Sequence, residues 1–172
     1  MGRFQDITFL RKIVINIPIL ILFVSVLNEF DFNYLEISFF SFNFPFILIF
    51  YWSLKKSEIL GYGYIFIAGL INDVVVGFPI GVSSFCYLLI CGFAAYLRNI
   101  TLRPNIFQDW IFFLFTIFVT NSLMYTVLVL FFAFKLDYNN LLLNLSFTFL
   151  LYILFAFIFD IYHKLVFGRA ND

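Results

Sequence analysis

Six apolar runs, each close to the length of a bilayer-spanning helix, follow one another between residues 13 and 160. They are Ile13–Phe30, Ile37–Leu54, Ile59–Val76, Val82–Leu97, Trp110–Phe134 and Leu141–Asp160, separated by charged or Gly/Pro clusters. A transmembrane helix needs about 20 mostly apolar residues, within a range of roughly 17–25. Composition agrees: 64 % of the chain is hydrophobic and 12 % charged, against about 45–50 % and about 25 % in soluble domains. Too little polar surface remains to cover a water-soluble globule. The pattern predicts an all-α, polytopic membrane protein with about six transmembrane helices, residues 1–172 forming a single integral membrane domain. It argues against a soluble enzyme, a nucleic-acid-binding module and a disordered chain.

Basic residues set the expected orientation, because cytoplasmic loops collect Lys and Arg. With the N-terminus inside, the inner segments hold Arg3, Arg11, Lys12, Lys55, Lys56, Arg98, Arg103, Lys164 and Arg169, and the outer loops hold only Lys135. Glu29, Asp31, Glu36 and Asp137 fall outside. Both termini are therefore expected in the cytoplasm. The first run has the basic flank and apolar core of a signal peptide. Val24 to Glu29 lacks the small-x-small pattern that a signal peptidase reads, so it is read as a retained helix. Trp52 and Trp110 fall at predicted inner boundaries and are expected to be interfacial anchors. Pro45 is expected inside the second span.

The most specific stretch runs from Gly61 to Gly81. Gly61, Ala68, Asn72 and Val76 share one helical face, with Gly69 and Asp73 adjoining. Small residues at such spacing allow close backbone approach between helices in lipid, so this face is expected to be buried against a helix of the chain or of a partner. Asp73 is the one acidic residue clearly inside a predicted span. A central Asp costs roughly 2.5 to 3.5 kcal/mol on insertion, while Leu, Ile, Phe or Val returns about 0.3 to 0.6 each. Ten such residues in the third run leave that helix marginal alone, and insertion as a hairpin with the fourth run is expected. Three roles for Asp73 stay open. It could fix a helix–helix or partner interface, cap the turn by accepting from backbone amides of Gly77 to Gly81, or couple to a proton or ion. Gly77-Phe78-Pro79-Ile80-Gly81 reads as a compact turn, with Pro79 fixing its own φ and the glycines free to take positive φ.

Other polar residues carry less. Thr116, Thr120, Asn121, Asn144, Ser146 and Thr148 are expected to bond mainly within their own helices, and Asp160 with Lys164 to form a local ion pair. Cys86 and Cys91 lie five apart, on different helical faces. With His163 the only histidine, no metal site and no cofactor are expected. No Walker, HExxH, GxSxG or Ser/His/Asp pattern is present, and one intramembrane Asp cannot supply the paired groups that intramembrane proteolysis needs. No catalytic residue is assigned, and the expected protein is not an enzyme.

From Tyr51-Trp52 through Gly61, then Phe66-Ile67-Ala68-Gly69-Leu70-Ile71-Asn72-Asp73, to Gly77 and Gly81, the chain resembles the rod shape-determining protein MreD family. Ser57 departs from a proline often seen after the Tyr-Trp element, and Asn72 from a usual apolar residue. The resemblance implies a non-enzymatic, multi-pass component of the bacterial cell inner membrane, acting in the rod complex for cell shape and lateral-wall peptidoglycan synthesis. It implies an MreC-like protein as partner, with RodA, a class B transpeptidase and the MreB filament system in the same machinery, membrane lipid around it and no nucleic acid. It also implies likeness in fold to the substrate-binding S components of energy-coupling-factor vitamin transporters, which supplies an alternative function. Helix one has no alanine in its Ile13–Leu22 portion, unlike the Ala-xxx-Ala surface usual in S components, so the residues lean to the scaffold reading.

Overall fold

Glycine and proline decide where the helices stop. The computed structural model describes residues 2–27, 42–101, 105–133 and 138–168, with side chains of the first helix from Val14 onward. Among the described residues there are six helices and no strand: α1 (Gly2–Leu27), α2 (Phe44–Leu60), α3 (Tyr62–Val76), α4 (Val82–Ile100), α5 (Ile106–Phe132) and α6 (Tyr138–Phe167). The expected charges Glu29, Asp31, Glu36, Arg103, Lys135, Asp137 and Arg169 lie outside the described residues. Three helices are long and apolar enough to cross a bilayer, namely Val82–Ile100, Ile106–Phe132 and Tyr138–Val166. A fourth crossing arises if α2 and α3 are taken together as one broken span, bent by 119°. The apolar part of α1, Val14–Leu27, is shorter.

The second and third runs form separate helices, α2 and α3, but no charged loop divides them. Lys55, Lys56 and Ser57 do not form a loop but continue α2, with non-helical angles at Lys56. The chain then turns at a single residue, Gly61, whose φ of 62° and ψ of 134° suit glycine. Pro45 falls inside the second helix as expected, but near its start. It stands in the first turn of α2, where a missing N–H costs nothing, and the Asn43 side chain caps that turn by accepting from the Phe46 N–H at 3.3 Å.

α2 is the centre of the molecule. Every residue from Phe44 to Leu54 is buried, as a helix apolar all round must be. Its rings reach three neighbours: Phe46 meets Tyr87 of α4 at 5.8 Å, Phe50 meets Phe113 of α5 at 5.1 Å, and Phe44 meets Phe155 of α6 at 4.9 Å. Around it, α4 buries one stripe (Ser83, Tyr87, Ile90, Ala94, Leu97) and α5 another (Phe113, Ile117, Thr120, Met124, Leu128) at helical spacing. The Tyr162 hydroxyl of α6 donates to the Val14 carbonyl of α1.

Trp52 lies deeper than an interfacial anchor would. Trp52 is 1 % exposed, its ring enclosed by Tyr51, Phe159, Tyr162 and His163. Trp110 lies flat on Phe149 of α6, with ring centres 4.4 Å apart, and its indole N–H donates to the Phe149 carbonyl at 3.0 Å. The half-buried indole thus finds its acceptor on α6. Both rings join helices.

Candidate functional site

The α3–α4 hairpin is built from the residues that the glycine pattern singles out. α3 stops because Gly77 takes the left-handed conformation, φ 77° and ψ 26°. The Phe78 N–H then reaches back to the Asp73 carbonyl at 2.8 Å, the long bond of a Schellman turn that satisfies a helix-end carbonyl. Gly81, at φ 105°, starts α4. Neither Gly77 nor Gly81 has atoms within 4 Å of where a Cβ would sit, so backbone angle and not space is what selects glycine there.

Asp73 closes the joint. Its side chain is fully buried. One carboxylate oxygen accepts the Gly81 N–H at 2.7 Å and the other accepts the Ser83 N–H at 2.8 Å. These are amides at the start of α4, which have no partner inside their own helix and carry the positive end of its dipole. Asp73 is thus an N-cap for α4 donated by α3. The capping geometry reaches further than the Gly77-to-Gly81 amides expected, onto Ser83. Capping and helix–helix fixation, weighed separately from the residues, are here one arrangement.

Three further contacts make the crossing close. The Asn72 amide donates to Ser83 Oγ at 2.9 Å, and Ser84 Oγ donates to the Phe66 carbonyl at 3.0 Å. Gly69 lies so near α4 that an added Cβ would sit 2.4 Å from Ser84 Cα. The buried face of α3 is Ile65, Ala68, Gly69 and Asp73. Relative to the expected face it is rotated: Ala68, Gly69 and Asp73 are buried, Asn72 is half-buried, and Val76 is exposed. Gly61 lies at the bend into α3 and Gly77 at the turn out of it, so neither belongs to the packed face. The small-residue surface is occupied by the chain's own α4. What α3 leaves uncovered is a bulky apolar face that includes Phe66, Ile67, Val74 and Val75.

The opposite end of the bundle gathers charge. Lys55 pairs with the buried Asp109 at 3.4 Å, Arg98 donates to Ser57 Oγ at 2.8 Å, and Lys164 pairs with Asp160 at 2.8 Å as expected. Thr116 and Thr148 bond carbonyls in their own helices, as expected, and Thr148 Oγ1 also accepts the Asn43 N–H from outside its helix at 2.9 Å. Among the described residues no three His, Cys, Asp or Glu side chains come together to hold a metal ion. Near the hairpin end, Asn72 and Ser83 join Asn43, Asn121, Asn140 and Asn144 around a cavity of about 310 Å³. Asn43 and Asn140 went unnoticed in the sequence because one precedes α2, the other lies on α6, and no periodicity connects them.

A helical bundle with apolar outer faces and a buried polar hairpin defines a class: a polytopic membrane protein. Within that class the chain belongs to the rod shape-determining protein MreD family, whose family model matches residues 7–166. The match takes in every described helix and makes this a membrane protein concerned with cell shape. Neither the curated proteins nor the solved structures yield a match.

Proposed function

We propose that the protein is a non-enzymatic scaffold of the bacterial inner membrane, supporting lateral-wall peptidoglycan synthesis in the rod complex by binding an MreC-like partner. The observation that carries this is the match to the MreD family over residues 7–166. The α3–α4 joint fits the role: its polar groups are spent on locking one helix pair, which suits a rigid platform. A partner's membrane anchor would then meet the exposed face of α3, around Phe66 and Ile67, not the small-residue face. RodA, a class B transpeptidase and the MreB filaments would be reached through the same assembly. The end carrying Lys55, Arg98 and Lys164 faces the cytoplasm in this reading, in keeping with the positive-inside rule.

Clean depletion in a rod-shaped host should turn the cells round, and the Asp73→Leu variant should co-purify less of the MreC-like partner. Normal cell shape after depletion sinks the proposal. The alternative, vitamin uptake as an S component, finds some support in the asparagine-lined cavity. It would displace the scaffold reading if purified protein bound a radiolabelled vitamin tightly and the gene lay apart from mreB and mreC.

A further inference from the structure

Two chambers meet between α5 and α6. The first is the cavity of about 310 Å³, at the lower end of the roughly 300–1,000 Å³ typical of ligand sites. Its polar wall is amide and hydroxyl: Asn43, Asn72, Asn121, Asn140 and Asn144, with Ser83 at the hairpin end. The second is an apolar slot of about 550 Å³ bounded by Phe118, Val129, Leu130, Leu142 and Leu145. Asn121, Tyr125 and Leu141 line both, so the polar chamber and the slot share a wall. Leu130 and Leu142 are 73 % and 65 % exposed, so the slot opens on the outer surface of the bundle, where lipid lies.

We propose that the two chambers form one binding site for a lipid with an uncharged, hydroxyl-rich head, the head among the asparagines and an acyl chain in the slot. Each side of the site excludes a different competitor. Among the described residues no Lys, Arg, Asp or Glu lines either chamber. A charged head placed against these residues would find no counter-charge among them, which is costly once it is desolvated. Amides offer donors and acceptors together, which matches sugar or glycerol hydroxyls. A water-soluble solute would fill the chamber but leave the slot empty. A transmembrane helix of a partner would cover the slot and could not enter the amide chamber. An amphiphile uses both. The site is independent of the scaffold reading, and it would equip the protein to sense or hold one lipid class beside its hairpin.

The test uses the full chain, purified and delipidated, with native mass spectrometry of lipid retention. Monoglucosyl-diacylglycerol and phosphatidylglycerol of identical acyl chains are offered in competition. Hydrogen bonds from the amides to the sugar hydroxyls predict a preference of about tenfold or more for the glucolipid. Asn121→Leu, in the shared wall, should remove that preference, and Val129→Trp, which fills the slot, should lower retention while the melting temperature stays unchanged. Equal retention of the two lipids by the unaltered protein overturns the proposal, and so does saturable binding of methyl glucoside without a tail. Loss of the MreC-like partner from Val129→Trp with lipid retention intact also overturns it, because the slot would then seat protein. Round cells on depletion with no lipid preference would leave the scaffold reading standing and remove this one alone.

Discussion

Gly69 and Ser84 set how closely α3 and α4 can cross. With Ser84 Cα 2.4 Å and Ser84 N 2.6 Å from the position of an added Cβ, backbone would have to move, because no side chain can rotate away. Gly69→Ala should therefore cost about 1–3 kcal/mol, the usual range for overpacking. Gly92→Ala is the control: it is also helical, but nothing lies within 4 Å of its Cβ position. That change should be neutral, or stabilising by up to about 1 kcal/mol through helix propensity. Thermal unfolding in detergent compares them, and equal melting temperatures would show that the crossing is not tight. Asp73 gives a graded series at the same joint. Both of its oxygens accept a backbone N–H. Asp73→Asn keeps one acceptor, and Asp73→Leu keeps none and leaves both amides at the start of α4 without it. A buried donor left unmade costs about 1–3 kcal/mol, so stability should fall from Asp to Asn to Leu, with the larger loss for Leu. If Leu were as stable as Asp, capping would not be the carboxylate's task.

Among the helices, α2 and α3 show most clearly where sequence reasoning succeeds and where it stops. The α3–α4 hairpin was legible because its signals are local: glycines at a turn, a proline between them, and one carboxylate eight residues before the amide it caps. The burial of α2 was not, because Phe44 to Leu54 would read the same whether lipid or protein surrounded it. Both environments are apolar, and only the enclosing helices distinguish them. Trp52 was misplaced for the same reason. An amphipathic ring beside Lys55 looks interfacial until Phe159, Tyr162 and His163 of α6 close around it. The gathering of the chamber's asparagines was illegible because three helices and the residue before α2 supply them. The bend at Gly61 carries its own prediction. Its φ of 62° with ψ of 134° falls where residues with a Cβ are strained, at about 1–3 kcal/mol. A Cβ there would meet only Tyr64 Cδ2, at 3.5 Å, so any penalty from Gly61→Ala is conformational. The variant should lower the melting temperature, and an unchanged value would mean that the joint between α2 and α3 relaxes freely.

For the whole molecule, a formal net charge of zero conceals polarity between the two ends of the bundle. Lys55, Arg98 and Lys164 are held near one end by partners in the fold: Asp109 for Lys55, Ser57 for Arg98 and Asp160 for Lys164. The α3–α4 turn has no basic residue from Gly77 to Gly81. The proposed reading places the turn outside, by the positive-inside rule, and this is testable because the native cysteines are hidden. Cys86 and Cys91 are 0 % and 1 % exposed, so a membrane-impermeant maleimide should leave the unaltered protein unlabelled. Ile80 in the turn is 77 % exposed and Ile106 at the start of α5 is 52 % exposed. With a cysteine introduced singly at each position, Ile80→Cys should react in intact spheroplasts and Ile106→Cys only after the membrane is opened. The reverse pattern would invert the protein. It would place the Lys55 end outside, and the amide chamber and the hairpin beside it on the cytoplasmic side. Labelling of both sites in intact spheroplasts would be incompatible with α4 crossing the bilayer between them. The bent α2–α3 pair and α4 would then have to enter and leave the membrane on one side.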